Sequence, residues 1–152
     1  MNKTTQTLAI LVALSGAFWS CNSGEEAVKK AENEVFAIHD EIMPKVMGDL
    51  VKLKKQLNQR GTSLDSLKAN GSAAATVRVD EEKAQVTRLN QDLLVADSLM
   101  NNWMAQYNGD TLAKLSSDEA LNYLAAQKDQ ITDVKKKVNT SIEQAKQFLE
   151  KK

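Results

Sequence analysis

The chain has 152 residues, 26% of them charged, with 20 basic and 20 acidic side chains, one cysteine, one histidine and one proline. That length supports one domain of modest core. The balanced charge offers no electrostatic basis for binding nucleic acid or an anionic membrane surface, and a lone cysteine excludes an internal disulfide.

The first element in chain order is a leader. Met1 to Thr7 carry a single cation, Lys3, and Leu8 to Trp19 form an apolar run ending at Ser20 and Cys21. A charged start, a short apolar core and a small residue before a cut is the layout of a bacterial secretion signal. The run is too short to span a bilayer, which takes about 20 residues. Cys21 at the first mature position resembles the lipid-attachment site of bacterial lipoproteins, although Phe18 and Trp19 stand where Leu and a small residue are usual. The competing outcome is simple cleavage that leaves a free thiol. Acyl chains such as palmitate on Cys21 gain about 0.8 kcal/mol per buried CH₂, so two or three would hold the protein on a membrane. By resemblance to lipoprotein sorting, Asn22 in place of Asp directs the protein to the outer membrane. Glu25 and Glu26 resemble acidic surface-export tags, but they also suit the first turn of a helix. The expected organisation is a cleaved signal over 1–20, a tether over 21–26 and one helical domain over 27–152.

The mature chain reads as all-α. The first helical segment follows Val28, Ala31, Val35, Ile38, Ile42, Val46, Leu50, Leu53 and Leu57. Its regular alternation of three- and four-residue steps is interrupted by consecutive fours around Val46, a stutter that unwinds a left-handed supercoil. Pro44 removes an amide donor at the same place, so a kink or break is predicted there. Gly61 to Ala75 is small, polar and punctuated by glycine, hence a loop with room for one helical turn over Leu64 to Ala69.

The second segment follows Val79, Glu82, Val86, Leu89, Leu93, Ala96, Met100, Trp103 and Tyr107. This is a coiled-coil-like seam with one charged position. Asn108, Gly109 and Asp110 look like a left-handed helix cap. The third segment opens on a capping box, Ser116 to Glu119, and follows Ala120, Leu124, Gln127, Ile131, Val134, Val138, Ser141, Ala145 and Phe148. Each segment has roughly 34 residues and spans about 50 Å at 1.5 Å per residue. Similar lengths and short links predict an antiparallel bundle of three helices, or four if the turn over Leu64 to Ala69 is substantial.

Chemistry is sparse. His39 is the sole histidine, and Asp40 is not expected to orient it because adjacent helical residues diverge. No nucleophile–base set, phosphate loop or dinucleotide fingerprint is present, so no enzyme, catalytic residue or cofactor is expected. One constellation stands out: His39, Met43 and Met47 on the first segment, Met100 and Met104 flanking Trp103 on the second. Antiparallel pairing places His39 opposite a residue between Leu94 and Asn101, and Trp103 opposite Asn122 beside Tyr123. Imidazole and thioethers suit a soft metal such as copper(I), so His39, Met43, Met100 and Met104 are candidate ligands. Methionine filling an irregular core accounts for the same residues without a ligand.

The runs His39 to Lys45 (HDEIMPK) and Met100 to Tyr107 (MNNWMAQY) resemble a group of small Gram-negative envelope lipoproteins with the signature H-D-E-x-M-P-K, then M-x-x-W-M. In that group Met and Gly follow the Lys directly; here Val46 intervenes before Met47 and Gly48. The resemblance implies an all-helical lipoprotein and carries no activity. The triplets Asp65-Ser66-Leu67 and Asp110-Thr111-Leu112 resemble O-glycosylation acceptors, making Ser66 and Thr111 candidate sites in expected loops. The function expected is a lipid-anchored envelope bundle of structural or protein-interaction role, contacting the membrane through its anchor and an envelope protein or a second copy of itself, but no nucleic acid. The alternative is capture of copper or a small ligand by the His/Met cluster.

Overall fold

The computed structural model describes residues 20–69 and 72–151, with the side chains of 20–22 outside the description. Among the described residues there is no strand, and nearly all are helical. The chain runs through α1 (Ser20–Pro44), a π-helical stretch π1 (Lys45–Leu50), α2 (Val51–Ala69), α3 (Ala73–Gln106), a single turn α4 (Gly109–Leu112) and α5 (Ser117–Glu150). The backbone over 21–26, expected as a tether, lies within α1. Among the described residues no helix is long and apolar enough to cross a membrane.

The three seams read from the sequence are the core. All nine seam positions of α5 are buried, including the two polar ones, Gln127 and Ser141. In α3 the seam from Val79 to Trp103 is buried except at Glu82. Along α1, π1 and α2 the buried set is Val35, Ile42, Val46, Leu50, Leu53, Leu57 and Leu64. Side-chain pairs fix the directions of the rods. Glu34, Glu41 and Lys45 meet Lys128, Lys135 and Asn139 in rising order, so α1 and α5 run the same way. Asn58 meets Asn90 while Lys68 meets Asp80, so α3 runs against α2. Lys137 meets Asp92 and Tyr123 meets Asn108, so α5 runs against α3.

At Pro44 the helix continues without interruption, and its ladder changes to the wider π form over Lys45–Leu50. A π turn holds one more residue than an α turn. It therefore absorbs the surplus residue of the stutter, and Val46 and Leu50 both stay on the buried side.

Two local expectations are corrected. The loop predicted from Gly61 is helix as far as Ala69. Leu64 sits seven residues beyond Leu57 and is buried, which extends the seam by two turns. Thr62, Ser63 and Ser66 donate their hydroxyls to carbonyls four residues back, so these residues do not divert the backbone into a turn. A Cβ on Gly61 would lie 3.7 Å from Val86 Cγ1, an ordinary contact. The left-handed cap at Asn108 to Asp110 is absent too: no described residue has positive φ. Asn108 is instead extended and caps α4, its side chain accepting from the Thr111 amide at 2.9 Å. The capping box of α5 forms as read, with Glu119 Oε2 accepting from the Ser116 amide at 3.0 Å and the Ser116 hydroxyl at 2.6 Å. Those bonds hold the Glu119 carboxyl below its ordinary range. A Cβ on Gly24 would approach Ser117 Oγ to 2.8 Å, so the start of α1 lies tight against the start of α5.

Candidate functional site

The end of the molecule where α1, the second half of α3 and the first half of α5 meet is filled by rings. Val35 and Ile42 point α1 at the core, and the flanking stripe of Glu32, Phe36, His39 and Met43 then falls along its α3 side. Phe36 packs edge-on against Tyr107, with centroids 5.1 Å apart. Tyr107 lies 5.5 Å from Trp103 and 6.0 Å from Tyr123. The His39 ring sits 5.6 Å from Trp103, tilted by 31°. Backbones of α1 and α5, α2 and α3, and α3 and α5 pack closely, whereas α1 reaches α3 through these long side chains.

Polar atoms are threaded through the rings. Tyr107 Oη donates to Glu32 Oε1 at 2.9 Å. Burial, and then the nearby Glu32 carboxylate, push the Tyr107 phenol well above its ordinary value of 10.0. Tyr123 Oη accepts from the Asn108 amide at 2.9 Å. His39 Nδ1 lies 2.9 Å from Asp40 Oδ1, which corrects the expectation that Asp40 cannot orient the ring. The helix does send the two residues apart at Cβ, but an imidazole and a carboxylate are long enough to fold back at the half-exposed edge. Two buried atoms have no hydrogen-bond partner among the described residues: Trp103 Nε1 and Gln127 Oε1. Both belong to seam positions, and a glutamine in a seam is a signal visible in the sequence.

The candidate metal ligands divide. Met100 is fully buried core. Met43 and Met104 are half-buried against that core, and His39 is half-buried at its edge. The register differs from expectation: His39 meets Trp103 rather than a residue between Leu94 and Asn101. The extra helix beyond Gly61 moves the reversal point and slides the facing residues along α3. Trp103 does not face Asn122. It lines an open groove of about 330 Å³ with Leu99, Asn102 and Gln106 of α3 and Gln130, Asp133 and Val134 of α5, while Tyr123 is reached by Tyr107. Among the described residues no three His, Cys, Asp or Glu side chains gather as a metal-binding group.

The remaining sites lie elsewhere. Ser66 is on helix α2 rather than in a loop, and Thr111 is exposed on α4. Cys21 and the signal segment fall outside the described side chains. A second open groove, of about 530 Å³, runs between π1 and α5 beside Lys45, Asp49, Asn139 and Lys146. Compared with known proteins, the chain matches no family model, and neither the curated proteins nor the solved structures contain a match to it.

Proposed function

We propose that this chain is an envelope lipoprotein, tethered through Cys21 and oriented to the outer membrane, whose helices form an antiparallel three-rod bundle bent at Pro44 and serve a non-enzymatic structural or protein-interaction role. The observation that carries the reading is the surface of α3. Leu94, Val95 and Leu99 are each more than one-third exposed, and Val95 and Leu99, one turn apart, lead into the groove beside Trp103. Ion pairs border the joints between helices, as in Arg60–Glu82 at 2.6 Å and Lys137–Asp92 at 2.6 Å. An exposed aliphatic strip leading into a groove is the kind of surface a partner covers. Ser66 and Thr111 remain proposed glycan acceptors, both being exposed.

A photo-crosslinking residue in place of Leu99, in intact cells, tests the partner surface. One discrete adduct, lost on Val95→Glu with helicity retained, is the expected result; a signal unchanged by Val95→Glu defeats it. The anchor is tested separately, by incorporation of a labelled fatty acid that disappears in Cys21→Ala.

A further inference from the structure

The seam between α1 and α3 carries one ring of fixed tautomer and two methionines, Met43 and Met104, half-buried against the core. A carboxylate only accepts, so the Asp40 contact at 2.9 Å places the proton of the neutral His39 ring on Nδ1 and leaves a lone pair on Nε2. The His39 side chain is 20% exposed, which gives an ion a path to it. Met43 lies one turn along α1 on the same stripe. Met104 lies two turns beyond Asp97, which meets Lys54, and so falls on the side of α3 that faces the first rod; the Trp103 ring on that helix is 5.6 Å from the imidazole. Both thioethers are half-buried, and methionine can swing its sulfur without backbone movement.

We propose that His39 Nε2 and the thioethers of Met43 and Met104 form a site for a soft monovalent cation, copper(I) in chemical class, with the indole of Trp103 as one wall. Neutral imidazole and thioether ligands favour a polarisable ion over Mg²⁺, Ca²⁺ or Zn²⁺. Asp40 supplies the outer-shell carboxylate that orients a metal-bound histidine and offsets the ion's charge. The indole face adds cation–π attraction. Met100 is sealed in the core and is not a ligand. The site shares Trp103 with the groove beside the partner strip and uses none of the strip's own residues, Leu94, Val95 and Leu99.

Silver(I), a redox-inert ion of the same class, tests the proposal on the full chain carrying Trp19→Phe and Cys21→Ala, which leaves Trp103 as the sole indole and removes the one thiol. One equivalent should saturate a change in Trp103 emission. Met43→Leu/Met104→Leu and His39→Ala should each weaken binding by more than the roughly tenfold loss expected for Asp40→Asn. Met100→Leu should leave affinity unchanged. Leucine conserves volume, and helicity by circular dichroism confirms that each variant folds. Equal affinity in the parent and Met43→Leu/Met104→Leu, tighter binding of zinc(II), or copper-edge absorption showing only nitrogen and oxygen neighbours would each overturn it.

Discussion

The two ends of the molecule are built differently. At the end formed by α2 and the first half of α3, Leu53, Leu57 and Leu64 face Val79, Val86, Leu89 and Leu93. Aliphatic side chains at alternating three- and four-residue steps let two helices approach along their length. The joint is bordered by ion pairs, among them Arg60–Glu82, Lys68–Asp80 and Lys83–Asp65. At the other end the rings of Phe36, Trp103, Tyr107 and Tyr123, with methionines among them, fill the space between α1 and α3. Large side chains bury much surface but leave polar atoms without partners, as at Trp103 Nε1 and Gln127 Oε1. The aliphatic end is made for stability; the ring-filled end keeps chemical groups near solvent.

The comparison is most severely tested by deletions. Removing Lys55 should rotate Leu57 and Leu64 out of the core, a loss of roughly 3–6 kcal/mol at about 1.5–3 kcal/mol per leucine. Removing Met47, which is exposed within π1, should cost far less, because the π turn tightens to α and takes up the change. Urea unfolding compares the two, and an equal loss would refute the role given to π1. Leu93→Ala should then cost about 2–5 kcal/mol, against under about 1.5 kcal/mol for Met100→Leu, although both positions are fully buried.

Gln127→Leu should stabilise the ring-filled end by about 1–3 kcal/mol, since it removes a buried acceptor that has no donor. A lower urea midpoint would mean that the amide makes a bond the fold requires. Gly61→Ala is expected to add up to about 1 kcal/mol, because the position is helical and has room for a Cβ; destabilisation would restore the loop.

The smallest effects are electrostatic. Hydrogen bonds from Lys128 and Lys135 hold the carboxyls of Glu34 and Glu41 below their ordinary value of 4.5. Their contribution is therefore complete above that pH and lost as acid protonates them in the folded state. Tyr107 shifts the other way: folding favours the protonated phenol, so its contribution is intact below pH 10.0 and declines above it. Phenolate absorbance on alkaline titration should show a phase well above pH 10.0 that is missing in Tyr107→Phe. Lys68→Ala, at an exposed pair, should change stability by less than about 1 kcal/mol.

The pattern of residues along the chain already specified an all-helical fold and nearly every buried position, because burial of one face imposes a three-to-four spacing that can be counted. It also marked the capping box of α5 and the surplus residue near Pro44. Folding settled what depends on facing partners. Gly61 to Ala69 became continuous helix because Leu64 found a buried place in the core, where the local pattern offered only one helical turn over Leu64 to Ala69. The meeting of His39 with Trp103 depended on where the chain reversed, and a few residues more of helix slid that register. Local spacing is written in one segment at a time, whereas contacts between segments depend on the length and packing of all of them together.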